Sequence, residues 1–251
     1  MTDTPDAAAV AEKLTVSWFS AGVSSAVATK LAIDDIDKII YTHIDDQHPD
    51  TMRFVKDCEA WFNKPVEILC SPYKNVETAL RQGGIINGPK VRIRCTDYLK
   101  RRVRRIWEVE QLENGVDLTY IWGMDVAESA RADRLHISMH KIAHRFPLIE
   151  QCISKAQAHE MLRASGIARP AMYNLGYHNN NCIGCVRGGM GYWNHIRVDF
   201  PDVFEARAKL ERVMGSTCIK GVYLDELDPE RGRHAPPIVD DCGIMCELMK
   251  I

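Results

Sequence analysis

Residues 14–28 read LTVSWFSAGVSSAVA, and the rest of the chain can be organised around this stretch. Its first half is rich in β-branched and aromatic residues, which is typical of a buried strand. Its second half is small and helix-compatible, with Gly22 in the turn between the two halves. A strand that enters a helix through Ser and Gly directs free backbone N–H groups and the helix dipole at one place, where phosphate can bind. On these residues alone, an ordinary β–α turn that binds nothing is the alternative.

The length of 251 residues suits one α/β domain of ordinary size with a small appendage. We expect a flexible N-terminus at 1–13 and one domain over 14–251, with 170–251 as its cysteine-rich part. The net charge of -2 does not by itself demand nucleic acid or a membrane. The sequence has no apolar signal core and no long apolar run, so we expect a cytoplasmic protein without membrane association. Nine cysteines without an export signal favour metal, cluster or redox chemistry over a disulfide framework.

Apolar runs and helical patterns alternate along the chain, which predicts a doubly wound, mostly parallel sheet. The predicted elements are strands at 38–43, 65–69 and 118–122, and helices at 50–62, 75–82, 154–165 and 199–214. Ser154 and Gln157 form a capping box at the start of the third of these helices, and Asp199 would cap the fourth. We expect Cys58 and Cys70 to be core cysteines. In this kind of sheet, ligands bind at the carboxyl edge of the strands.

The segment 90–105 carries eight Lys and Arg residues around Cys95, and acids barely offset them before Glu108. Leu99, Val103 and Ile106 recur at helical spacing, which predicts a helix that buries them and shows its arginines to solvent. Such a face would attract nucleotide phosphates, a sulfate or a nucleic-acid backbone. A solvated basic surface that binds nothing is the alternative.

Several segments resemble one known family. SAGVSS at 20–25 is similar to the SGGxDS phosphate loop of the adenine nucleotide α-hydrolase-like (PP-loop) superfamily, with Ala21 and Ser24 in place of a Gly and the Asp. HPDT at 48–51, RCTDYLK at 94–100, GMDVAESAR at 123–131 and PAMYNLGYHNNNCIGC at 170–185 resemble segments of its phosphoadenosine phosphosulfate (PAPS) reductase family. DCGI at 241–244 resembles the family's E-C-G-I/L-H ending, with Met245 where a His is usual.

The resemblance implies a nucleotide site at the carboxyl edge of the sheet. The implied nucleotide-binding residues are Ser20, Gly22, Val23, Ser24, Ser25, Asp45, Arg94, Lys100, Gly123, Glu128, Ser129 and Arg131. Helix capping is the alternative for Glu128 and Ser129, as it is for Asp50 or Thr51 near Asp45. A carboxylate is the usual partner of Mg²⁺, so Ser24 in place of the Asp favours the reductase branch, which binds a sulfonucleotide without hydrolysing ATP.

The resemblance also implies roles for the cysteines. Cys242 would be the catalytic nucleophile. Cys95, Cys182 and Cys185 would ligate an iron–sulfur cluster of the 4Fe-4S type, with a fourth ligand left open between Cys242, Cys246 and an exogenous group. Zinc is the alternative metal, held in a closed tetrahedral site by the Cys182/Cys185 and Cys242/Cys246 pairs.

The implied activity is that of a sulfonucleotide (PAPS or APS) reductase, an oxidoreductase in which a thiolate attacks an activated sulfonyl sulfur and an adenine nucleotide leaves. Its implied partner is a thioredoxin-like reductant. The second hypothesis is an ATP-dependent iron–sulfur sulfurtransferase that thiolates tRNA or DNA, which the basic segment 90–105 would contact. The third is a nucleotide-binding module with structural zinc. The sequence leaves open the oligomeric state and the choice among ATP, APS and PAPS.

Overall fold

Residues 12–84, 86 and 94–232 are described by a computed structural model, and their centre is a five-stranded sheet. All strand pairs are parallel, and the order is β3-β2-β1-β4-β5. The strands are β1 (Lys13–Phe19), β2 (Lys38–His43), β3 (Val66–Cys70), β4 (Asp117–Ile121) and β5 (Ala143–Arg145). This confirms the predicted α/β class with a parallel sheet.

Eleven α-helical segments are found within the described residues. They are α1 (Val23–Leu31), α2 (Asp50–Phe62), α3 (Val76–Gly83), α4 (Arg94–Thr96), α5 (Arg102–Glu113), α6 (Ser129–Ser138), α7 (Pro147–Glu150), α8 (Lys155–Ala164), α9 (Ala171–Asn174), α10 (Met190–Asp199) and α11 (Pro201–Met214). A π-helical turn at Asp97–Arg101 joins α4 to α5. None of the helices in the described part of the chain is long and apolar enough to cross a membrane.

Helices cover both faces of the sheet, because successive side chains of a strand point to opposite sides. Phe19 and Tyr41 pack on one face with residues of α1, α2 and α8. Ile40 and Tyr120 pack on the other face with residues of α5 and α6. The sheet is therefore doubly wound.

A third cluster of buried residues involves the later part of the chain. Trp193 of α10 and Leu210 of α11 belong to it, together with Leu80 of α3 and Leu99 of the π-helical turn. Cys95 and Cys185 lie in the same cluster. The cysteine-bearing loop around 182–186 is thus built into the core.

Most predicted elements are confirmed, but two features differ from expectation. Cys58 is buried, whereas Cys70 is exposed because β3 is an edge strand of the sheet. The helix expected at 199–214 is confirmed as α11, which begins at Pro201, but the sequence did not predict α10, which ends at Asp199 just before it. Proline suits the first position of a helix, where its missing N–H has no partner to lose.

The basic helix is present, but it does not show all of its arginines to solvent as expected. Arg101 and Arg104 are buried, whereas Ile106 is 70% exposed. The π-helical turn changes the angular spacing of side chains at the start of the helix, so a simple 3.6-residue period misplaces its faces. Carboxylates offset the charges of both buried arginines, because Asp97 pairs with Arg101 and Glu108 pairs with Arg104.

Candidate functional site

A cleft opens where β1 and β4 end, at the point where the strand order reverses. Three kinds of side chain line it: the hydroxyls of Ser20 and Ser25, the cations of Lys100, Arg101 and Arg104, and the indoles of Trp18 and Trp122. The cleft therefore offers hydrogen-bond donors, positive charge and flat apolar walls.

The loop at 20–25 is held by its own serines. The Ser20 N–H donates to Ser25 Oγ at 3.2 Å, and the Ser25 hydroxyl donates to the Gly22 carbonyl at 3.0 Å. α1 begins directly after Gly22, so its first N–H groups face this loop. Ser24 in its first turn is half-buried. The predicted strand–loop–helix arrangement is confirmed, and it can accept an anion.

The residue of this loop with a left-handed backbone is Ala21 and not Gly22. Ala21 has the left-handed φ of 58°, whereas Gly22 has φ of -101°. A Cβ added at Gly22 would lie 3.4 Å from Tyr173 Oη, which is an ordinary contact. The strained position is therefore the one where this sequence has Ala in place of the Gly of the resembling pattern.

Close packing against Ser25 requires a glycine at position 123. A Cβ at this position would lie 2.4 Å from Ser25 Cα and 2.6 Å from the Ser25 nitrogen. No side chain fits at that distance, so only glycine lets the segment after β4 lie against the start of α1. Gly123 thus shapes the cleft through its lack of a side chain.

Residues of the 170–185 segment close over the loop, and sequence reasoning missed them because it read this segment for its cysteines. The Val23 N–H donates to the Tyr173 hydroxyl at 3.3 Å. The Asn180 side-chain amide donates to the Ala21 carbonyl at 2.9 Å and to Thr51 Oγ1 at 3.1 Å. The C-terminal part of the described chain therefore fixes the loop from outside.

Arg101 is the cation of the cleft with unmet hydrogen-bonding capacity. Its guanidinium is paired with Asp97, and the residue is only 7% exposed. Its Nε and Nη1 find no hydrogen-bond acceptor within the described ranges. Buried donors of this kind are costly unless something accepts from them, so an anionic ligand would satisfy them.

Arg104 is neutralised more fully. Its Nη1 donates to Glu108 Oε2 at 2.8 Å, and the same carboxylate oxygen accepts from the Tyr120 hydroxyl at 3.2 Å. Burial, and then the neighbouring Glu108 charge, raises the pKa of Tyr120 well above its usual range. The Tyr120 phenol therefore stays protonated and remains a donor to this carboxylate.

Two tryptophans on neighbouring strands form the apolar walls. Ser17 of β1 pairs with Ile121 of β4, so Trp18 and Trp122 follow side by side on the same face. Each indole packs edge-on against Tyr120, with ring centroids 5.7 Å and 5.8 Å apart. Flat aromatic walls suit a planar base. A tryptophan near the end of each of two predicted strands is the signal that could have found them.

Two further residues of the implied nucleotide site lie apart from the cleft lining. Asp45 is exposed, with its carboxylate 3.7 Å from His43 Nε2. Arg94 packs against Gly83, where an added Cβ would lie 2.5 Å from Arg94 Cβ. Their part in nucleotide binding stays a prediction.

Glu128, Ser129 and Arg131 are engaged with each other and with their own turn. Glu128 accepts the Asp125 N–H at 3.2 Å and pairs with Arg131, and the Ser129 hydroxyl donates to the Val126 carbonyl at 2.7 Å. Asp125 and Glu128 form a capping box. The structure thus displays the helix-capping role, and the nucleotide role of these residues stays a prediction.

The predicted metal ligands all belong to, or pack against, the third core cluster. Cys95 and Cys185 are buried in one cluster, and Cys182 packs against it. Tyr192 joins the backbones of Cys182 and Cys185. Its hydroxyl accepts the Cys185 N–H at 2.8 Å and donates to the Cys182 carbonyl at 3.3 Å. Yet the parts of the chain that the structure describes contain no group of three or more His, Cys, Asp or Glu residues that could hold a metal ion.

Cys242 and Cys246 lie outside the described residues. The iron–sulfur cluster and the zinc site therefore stay predictions, and no step proposed below passes through either. Sequence reasoning did not consider Cys218, which is buried in the same cluster as Cys95. Burial and the nearby Glu211 carboxylate raise the pKa of the Cys218 thiol well above its usual range, which favours the protonated thiol over a metal-ligating thiolate.

Comparisons with known proteins give little beyond the fold. No family model matches the chain, and no curated protein does. Among solved structures, a phosphoadenylyl-sulfate (PAPS) reductase from Candida auris, in a phosphate complex, is similar at 11% sequence identity and a TM-score of 0.47. The match covers 69% of this chain and 82% of that one. A likeness this distant carries no argument about family or function.

Proposed function

We propose that the chain is a sulfonucleotide reductase-like enzyme that binds an adenine nucleotide in the cleft between β1 and β4. The observation that carries this proposal is the meeting of three features in one place. These are the serine-lined start of α1, the buried Arg101 with unmet donors, and the two tryptophan walls. Phosphate, negative charge and a planar base are the parts of a nucleotide that such features recognise.

Each part of the ligand has a matching group in the cleft. The phosphate would accept from the N–H groups at the start of α1 and from Ser20 and Ser25. Arg101 and Lys100 would balance the charge of the phosphate or sulfate, and the arginine fork suits two oxygens of one group. The base would lie against Trp18 and Trp122.

The proposed reaction comes from the sequence resemblance. The Cys242 thiolate attacks the sulfonyl sulfur, and a sulfur–sulfur bond forms. The bond between that sulfur and the bridging phosphate oxygen breaks, and its electron pair leaves with the nucleotide. Cys242 then carries an S-sulfonate. A thiol of a thioredoxin-like reductant attacks the Cys242 sulfur and releases sulfite, and a second thiol of the reductant resolves the mixed disulfide.

Binding is tested by calorimetry with AMP, APS and PAPS on the wild-type chain and two variants. Arg101→Gln removes the buried charge in the cleft, and we expect roughly tenfold to hundredfold weaker binding, the usual cost of a charged hydrogen bond. Arg105→Gln is the matched control, because Arg105 lies four residues further along, in α5, and is exposed. Absence of binding by all three nucleotides to the wild type would contradict the proposal.

The chemical step is tested separately by incubating the chain with APS or PAPS under anaerobic conditions. We expect sulfite release with a thiol reductant and, without it, a mass increase of one SO₃ group that Cys242→Ser abolishes. Cleavage of ATP without sulfite release would instead favour the sulfurtransferase hypothesis.

A further inference from the structure

One edge of the Trp122 indole is anchored by a buried histidine behind the cleft. Trp122 Nε1 lies 3.0 Å from His144 Nδ1, and both residues are buried. His144 belongs to β5, the strand beside β4. The other side of this imidazole, Nε2, lies 3.1 Å from the Met139 carbonyl oxygen.

These two bonds define the protonation of the ring. An indole N–H can only donate, so His144 Nδ1 must be the acceptor. A backbone carbonyl can only accept, so Nε2 must carry the proton. His144 is therefore the neutral Nε2–H tautomer, the one form that satisfies both neighbours.

The surrounding rings restrict the imidazole further. His136 and Phe146 lie on other sides of it, with centroids 5.4 Å and 6.5 Å away. Tyr120 lies 6.1 Å away and also contacts Trp122. A ring packed in this way and bonded at both nitrogens has one orientation. Its hydrogen bond with Trp122 Nε1 therefore restricts the orientation of the indole.

We propose that His144 is a positioning residue that holds the Trp122 indole as the base-contacting wall of the cleft. The inference rests on the proposed nucleotide binding, because it concerns how the same cleft recognises the base. Without the Nδ1 acceptor, the buried indole N–H would lose its partner, and the ring would turn toward another one. The phosphate end of the cleft would be unaffected, since Ser20 lies in the loop after β1 and Ser25 lies in α1.

Two substitutions at position 144 separate positioning from general structure. In His144→Asn, the amide oxygen takes the place of Nδ1 and keeps the bond to Trp122. In His144→Gln, the amide nitrogen takes the place of Nε2 and keeps the bond to Met139, but the acceptor for Trp122 is lost. We expect His144→Gln to bind AMP about fivefold to tenfold more weakly, the worth of one hydrogen bond, and to bind ribose 5-phosphate unchanged. His144→Asn should bind both ligands as the wild type does.

The indole N–H resonance of Trp122 gives a readout that does not depend on binding. In a ¹H–¹⁵N spectrum, with Trp122→Phe as the assignment control, this peak should lose its hydrogen-bonded shift in His144→Gln and keep a hydrogen-bonded shift in His144→Asn. Trp122→Phe should itself weaken AMP binding, and His144→Gln in that background should add nothing.

Several results would overturn the inference. Equal weakening of AMP and ribose 5-phosphate in both position-144 variants would make His144 merely structural. Unchanged AMP affinity in His144→Gln would do the same, while leaving the proposed function intact. If the wild type binds neither ligand, the proposed function fails, and the inference fails with it.

Discussion

At the scale of single residues, Gly123 controls how closely the segment after β4 approaches the start of α1. We expect Gly123→Ala to weaken AMP binding and to lower the free energy of unfolding by about 1–3 kcal/mol, the usual cost of overpacking. The added methyl group would meet the Ser25 backbone, which cannot move without displacing the start of α1. Calorimetry and urea denaturation would measure the two effects.

The matched control is Gly189→Ala. Gly189 has ordinary extended dihedrals, and an added Cβ meets nothing within 4 Å. It should leave binding unchanged and lower the free energy of unfolding by less than about 1 kcal/mol, because Gly189 is the N-cap of α10 and Ala is a poorer cap. If Gly123→Ala behaves like this control, the packing of Gly123 against Ser25 does not shape the cleft.

His159 makes stability depend on pH. Burial, then the charges of Lys155 and Arg169, lowers its pKa from 6.5 to about 4. Between these two values the unfolded chain binds a proton that the folded chain does not, so stability falls as pH drops. The full contribution is present above pH 6.5, and it is lost as the pH falls toward 4.

We therefore expect His159→Gln to lose less stability than the wild type between pH 7 and pH 4.5, measured by urea denaturation. The pKa of His178 is also lowered, by burial and by Lys155. Because His178 is present in both proteins, its effect cancels when the two are compared. His140→Gln is the control, because His140 is exposed. Parallel stability curves for His159→Gln and the wild type would show that His159 is not the group responsible.

Residues at the ends of strands could be predicted to reach the cleft, but others could not. Ser20 and Gly123 lie just after β1 and β4, and Ser25 lies in the first turn of α1, so the predicted strand–loop–helix pattern places them at the carboxyl edge. The position of Arg101 in the cleft depends on a π-helical turn, and no pattern in the sequence predicts that turn. Asn180 is far along the chain and reaches Ala21 only through tertiary packing.

At the scale of elements, the start of α2 fastens the segment before α9. Asp50 Oδ2 accepts the Ala171 N–H at 2.8 Å, and Arg53 donates to the Ala168 carbonyl at 2.8 Å. Asp50 and Arg53 also pair with each other at 2.8 Å. This holds the segment that leads to Tyr173, whose hydroxyl contacts the loop at 20–25.

We expect Asp50→Asn to lower the free energy of unfolding by about 1–2 kcal/mol, because it removes a charged acceptor. The Ala171 amide should also exchange its hydrogen faster. Asp57→Asn is the control: Asp57 pairs with the same Arg53 at 2.7 Å, but its side chain is 41% exposed against 26% for Asp50, so its loss should cost under about 0.5 kcal/mol. Equal exchange of the Ala171 amide in both variants would contradict this clamp.

At the scale of the whole molecule, alternation of strands and helices was sufficient to predict the doubly wound sheet. The strands at 38–43 and 118–122 are apolar runs that form buried parallel strands whichever helices cover them. Alternation alone did not predict where α11 begins. Asp199 is a good capping residue and Pro201 a good first residue of a helix, so the sequence allows either as the start. In the fold, Asp199 accepts from the Tyr177 hydroxyl at 2.8 Å instead of capping α11.

The charge of the whole chain bears on the nucleic-acid hypothesis. Arg101 is paired with Asp97 and Arg104 with Glu108, and both arginines are buried, so neither can reach a polyanion outside the cleft. Within the described part of 90–105, Arg102 and Arg105 are exposed. The net charge of -2 adds no general attraction.

We therefore expect weak binding of labelled tRNA and duplex DNA, measured by fluorescence anisotropy against salt. Each neutralised phosphate of duplex DNA contributes about -0.9 to the slope of log affinity against log salt, so the two exposed arginines in the described part of 90–105 would contribute about -2. Arg102→Gln with Arg105→Gln should remove that slope and leave AMP binding unchanged, while Arg101→Gln should do the reverse. A much steeper slope that the double variant abolishes would show that the basic helix serves a polyanion. The sulfurtransferase hypothesis would then replace the reductase, because a sulfonucleotide offers only two or three anionic groups.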